Sequence, residues 1–178
     1  MPETATPVPD VLQSRSTFPS RCQDFADRYR GSQYFTDLAR FLAEEVGISY
    51  VLIGYPDKKQ HNQVRTVVLY AGGEVASNIS YPLSGTPCEN VIGRNCCYYP
   101  TGIQQMFPSD KELRDLNIDS YIGFPLFNDA RNPIGIIVLM DTKMIPLAGA
   151  VEDGLRALAP RTAQELEQHL LENGGTEA

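Results

Sequence analysis

The chain has 178 residues, 42% of them hydrophobic, with 22 acidic against 15 basic side chains and a formal net charge of -7. That length and apolar content suit one domain with a real core, and the acidic balance lacks the basic stripe that nucleic acid or anionic lipid would require of a direct partner. Four Cys, no recognisable signal peptide and no apolar stretch near the roughly 20 residues of a membrane span lead us to expect a soluble protein of the reducing cytoplasm, its thiols free.

Residues 1–30 read as an N-terminal arm or linker. Pro2, Pro7, Pro9 and Pro19 punctuate it without sustained periodicity, and only 21–29 has the makings of a short helix before Gly31. The domain proper is expected over 31–172. Ser32 is a candidate N-cap for a helix over 33–46, with Phe35, Leu38, Ala39, Leu42 and Val46 on one face and Gly47 as the stop. Residues 48–55 and 65–70 are β-branched and aromatic runs separated by a polar loop, and pair as strands. Gly72 and Gly73 turn the chain toward a short strand near 78–82.

From residue 82 to 110 prolines and glycines leave room only for short elements. Thr86, Pro87 and Glu89 predict a capped helical turn over 87–92, and Ser109 with Glu112 predicts another over 111–116. Residues 96–99 read as a short strand between them. Residues 119–141 then form two apolar runs about a turn marked by Asn128, Asp129 and Asn132. The second run, 134–140, is apolar throughout, so we expect a central strand covered on both faces. Gly123 and Pro125 predict a bulge or a one-sided edge in the first run. A last helix is expected over 148–172, with a Leu stripe, a kink at Pro160, and a tail over 173–178. Ala157, Ala159 and Ala163 beside that stripe exceed what one sheet-facing surface uses, and point to a homodimer through the terminal helices. The expected fold is α+β: a central antiparallel sheet of five or six strands, terminal helices on one face, short helices and loops covering a pocket on the other.

Residues 81–91 (YPLSGTPCENV), 98–110 (YYPTGIQQMFPSD) and 120–141 (SYIGFPLFNDARNPIGIIVLMD) resemble GAF domains, the sensory modules of bacterial histidine kinases and related signalling proteins. The resemblance covers about 33–170. It implies a small-molecule-sensing regulatory domain, not an enzyme, with a ligand pocket on one sheet face and terminal helices that relay the signal and form a homodimer. The implied partners are a small ligand and a kinase or other signalling output. No Asn-Lys pair is present, which sets aside cyclic-nucleotide-binding members, and no Cys is followed by His, which sets aside bilin attachment. The sequence identifies no cofactor and no metal ligands.

Cys88, Cys97, Tyr99, Met106, Phe107 and Tyr121 are the candidate ligand-contacting residues, because they fall in the segments expected to cover an apolar cavity with a few polar tips. A helical turn beginning at Thr86 would place positive partial charge near Cys88 and favour its thiolate if the sulfur points toward the amides. Cys22 and Cys96 read as bystanders. Two alternatives stand beside the sensor: a cysteine-based redox sensor or a free methionine-R-sulfoxide reductase-like enzyme, and a structural dimerisation module. Buried thiols that only fill space would explain the cysteines equally well.

Overall fold

One antiparallel sheet divides the hydrophobic side chains into two clusters, one on each face, and the strand register explains which residue joins which. The structure, a computed structural model, describes residues 10–174, with side chains from residue 17. Its elements in chain order are α1 (Asp10–Arg28), α2 (Tyr34–Val46), β1 (Tyr50–Pro56), β2 (Gln63–Ala71), β3 (Glu74–Ala76), β4 (Ser80–Pro82), a 3-10 turn (Pro87–Asn90) and β5 (Cys97–Tyr99). They continue with α3 (Ile103–Met106), α4 (Lys111–Asp115), β6 (Ser120–Phe127), β7 (Pro133–Asp141) and α5 (Ala148–Gly174).

The strand order is β3-β2-β1-β7-β6-β5, with β4 also paired to β2, and every pairing is antiparallel. The sheet therefore has seven strands. The added one is β3, a three-residue return after Gly72 and Gly73 whose φ angles of 61° and 95° make the reversal. β7 is central as expected. Its side chains alternate, Ile137 and Leu139 entering the cluster under the long helices and Ile136, Val138 and Met140 the opposite one. Pro125 in β6 pairs with Ile136 of β7 but lies beyond the last β5 partner, Gly123 opposite Cys97, so β6 is a one-sided edge at that point.

α2 buries Tyr34, Phe35, Leu38, Ala39, Leu42 and Ala43 and ends at Gly47, which adopts φ 74° and donates its N–H to the Ala43 carbonyl at 2.9 Å. Its N-cap is Gln33 rather than Ser32, without a side-chain cap. Where an arm is expected, α1 begins at Asp10 and runs through Pro19; residues 1–9 lie outside the described residues, as do 175–178 of the expected tail. Phe18, Cys22, Phe25 and Ala26 of α1 join the helix-side core, with Phe25 stacked on Phe41 at 4.9 Å between ring centroids. The packed unit thus begins well before residue 31. The prolines obscure a helical stripe in this segment, since Phe18, Cys22, Phe25 and Ala26 have the required three- and four-residue steps.

α1 packs along α5. A Cβ built on Gly154 would stand 2.4 Å from Phe18 and 2.8 Å from the Cys22 sulfur, so the two helices touch where α5 has no side chain. Arg161 donates to the Ala26 carbonyl at 3.2 Å, and Glu165 accepts the Gly31 N–H at 3.1 Å. Inside the same layer the Tyr34 and Thr162 hydroxyls lie 2.8 Å apart.

Candidate functional site

The face of the sheet opposite the long helices carries a cavity of about 70 Å³. Its floor is made by alternate side chains of neighbouring strands: Leu52 of β1, Leu69 of β2, Tyr121 of β6, and Val138 and Met140 of β7. Its roof is the segment that proline and glycine keep short, contributing Pro87 and Cys88 from the 3-10 turn and Leu113 from α4. Ile118 closes one side. Ile79, Glu112 and Leu116 also line the cavity and are exposed, so they mark its mouth.

The polar groups of the site form a chain. The Tyr121 hydroxyl donates to the Cys88 sulfur at 3.2 Å, and the Tyr81 hydroxyl lies 3.3 Å from the same sulfur. All three residues are buried. Burial pushes the Cys88 thiol above its ordinary value, outweighing the hydrogen bonds from Tyr121 and Tyr81, and pushes both phenols well up. The cluster is therefore uncharged at neutral pH. At the other end Asp110 is the N-cap of α4, its side chain accepting the Leu113 N–H at 3.3 Å. Burial raises its pKa too, and the neighbouring Glu112 adds to the rise.

Of the candidate residues, Cys88 and Tyr121 line the cavity. Cys97, Tyr99 and Phe107 pack around the same core cluster without lining it: Tyr99 sits edge-on to Phe107 at 5.5 Å and 5.9 Å from Tyr121. Met106 points away. It is 57% exposed because the single turn of α3 directs Ile103 inward and its last residue outward. The expected activation of Cys88 is corrected by the structure: the turn is four residues of 3-10 helix, Thr86 makes no side-chain cap, and desolvation governs the thiol. Glu89 reaches back to the Gly85 N–H at 3.1 Å instead of completing a capping box with Thr86. Cys22 and Cys96 lie outside the cavity, and burial raises both thiols to about 12.

The lining residues that sequence reading missed include Leu52, Val138 and Met140, whose strands are recognisable but whose cavity-facing parity is not, Tyr81, whose spacing of seven from Cys88 is the available signal, and Asp110 and Glu112, which read as cap and surface residues of a short helix. A larger hollow, about 820 Å³, lies between the β6–β7 turn and α5. Six of its sixteen lining residues are charged, three of each sign, with Arg156 already paired to Glu152 at 2.9 Å.

No family model matches the sequence, and no curated protein matches it. Solved structures do match in fold. They include the GAF domain of an Acinetobacter phosphoenolpyruvate-protein phosphotransferase, with a TM-score of 0.65 at 13% identity over 90% of this chain and 97% of that one. An A. Aeolicus GAF domain in an inactive state matches with a TM-score of 0.63 at 10% identity over 89% and 99%. Free methionine-R-sulfoxide reductase from Neisseria meningitidis, in complex with its substrate, matches with a TM-score of 0.64 at 17% identity over 92% and 94%. The chain thus has the GAF-domain fold, one that a reductase also carries.

Proposed function

We propose, on the premise of the GAF-domain fold, that this chain is a regulatory domain that binds a small molecule in the cavity roofed by Pro87, Cys88 and α4, and relays occupancy through α1 and α5. The observation that carries the proposal is the parity of β7. Val138 and Met140 touch the cavity while Ile137 and Leu139 touch the helix layer, so a shift of this strand on ligand entry is felt on both faces. A close-packed sheet transmits such a displacement because it has little free volume in which to absorb it.

On this reading the domain acts in bacterial signal transduction in the cytoplasm, as a homodimer through the outward surfaces of its terminal helices, upstream of a kinase or other output protein. It performs no catalysis. No helix among the described residues is long and apolar enough to cross a membrane. Native mass spectrometry of freshly purified protein tests the ligand: a reproducible small adduct lost in a cavity-filling Val138→Phe variant supports the reading, and an adduct retained by that variant contradicts this site. Light scattering over a concentration series tests the dimer, which a monomer at high micromolar concentration would refute.

A second reading, a cysteine-based redox sensor or a methionine-R-sulfoxide reductase-like enzyme, draws on the Neisseria structure and on Cys88 and Cys97 associating with one core cluster. It needs a thiolate, and burial of Cys88 opposes one. Turnover of free methionine-R-sulfoxide with a thiol reductant would establish it in place of the sensor. We expect none.

A further inference from the structure

The cavity distinguishes ligands by charge. Its formally charged lining residues are Asp110, 9% exposed, and Glu112 at the mouth; among the described residues no Lys, Arg or His lines it. Neither carboxylate forms an ion pair among the described residues. The basic side chains of α4 are engaged elsewhere, Lys111 with Asp115 at 2.5 Å and Arg114 with the Pro108 carbonyl. The rest of the lining is apolar apart from Tyr81, Cys88 and Tyr121, which offer neutral hydroxyl and thiol groups.

A carboxylate or phosphate ligand would meet like charge in a poorly solvated space, with no cation to offset its desolvation. An ammonium group would instead complete an ion pair that the protein leaves half made. Resting on the sensory reading above, we propose that the cavity takes a small apolar molecule bearing a cationic amine, its amine at the Asp110 and Glu112 end and its hydrocarbon over Leu52, Val138 and Met140. The size is bounded too. A cavity of roughly 150 Å³ admits benzene, so about 70 Å³ suits a ligand of about three to five heavy atoms.

The test is a series of three-carbon probes, n-propylamine, n-propanol and propionate, titrated at neutral pH into the full chain while the methyl resonances of Leu52, Val138 and Met140 are followed by NMR. The amine is expected to saturate these shifts at a concentration at least tenfold below propanol, and propionate not to saturate them. Asp110→Asn keeps a capping side chain and is expected to abolish the amine preference while leaving propanol within twofold; Glu112→Gln, at the exposed mouth, gives a smaller loss and serves if the first variant fails to fold. Propanol binding with no amine advantage, or an advantage that survives both substitutions, overturns the charge inference and leaves the pocket intact. If none of the three probes shifts the cavity methyls, the pocket reading falls with it.

Discussion

Cys88 shows how burial overrides a local motif. Thr86, Pro87 and Glu89 are the residues of a helix start, yet the turn they make is too short and too covered to activate a thiol, and Cys88 accepts from Tyr121 and shares a second hydrogen bond with Tyr81. The reactivity order follows from exposure. Alkylation of the native protein at pH 8 should label Cys97 first, with Cys22 and Cys88 protected until unfolding, and mass spectrometry of the digest reads the order. Labelling of Cys88 ahead of Cys97 would contradict the buried cluster. Asp110 gives a second outcome. Its folded-state pKa is raised above the ordinary 3.8, so its favourable contribution is complete below pH 3.8 and is lost as pH rises through the folded value. Asp110→Asn has no such titration, and chemical denaturation over this window should show the wild type losing stability relative to the variant; parallel profiles would refute the assignment. The sequence offers Ser109 as the cap of α4, one residue before the actual cap, Asp110; the place of Asp110 in the cavity wall is not legible at all, since only the fold brings α4 over β1 and β7.

The helices differ in how openly they announce themselves. α2 is marked by its apolar stripe and terminal glycine, and the β6–β7 hairpin by two apolar runs about a polar turn. α1 carries Pro19 and intersperses its few apolar side chains with Ser, Arg, Gln and Asp, so it is held by what it meets rather than by its own propensity. The seat of α1 on α5 is Gly154, whereas Ala159 and Ala163, which suggest a dimer surface, border the hollow beside β6. Gly154→Ala tests that seat: Ala is the better helix former, but its methyl would press on Phe18 and Cys22. We expect a net loss of about 1–3 kcal/mol, the usual cost of overpacking a core, measured by urea denaturation. An unchanged midpoint would mean that α1 does not dock there.

For the molecule as a whole, the sheet separates a helix layer from a cavity layer, and β1 and β7 belong to both. This much is legible because a strand apolar at every position has to be covered twice. The cavity is less so, because the short roof elements over residues 82–118 are placed by tertiary contacts that no periodicity records. On the proposed function, ligand in the cavity changes the helix layer through the strands between them. Hydrogen–deuterium exchange of the full chain, with and without a saturating cavity ligand, measures this directly. Slowed exchange at Pro87–Asn90 and Lys111–Asp115 together with altered exchange in α1 and α5 is expected; protection confined to the roof, with both long helices unchanged, would rule the relay out.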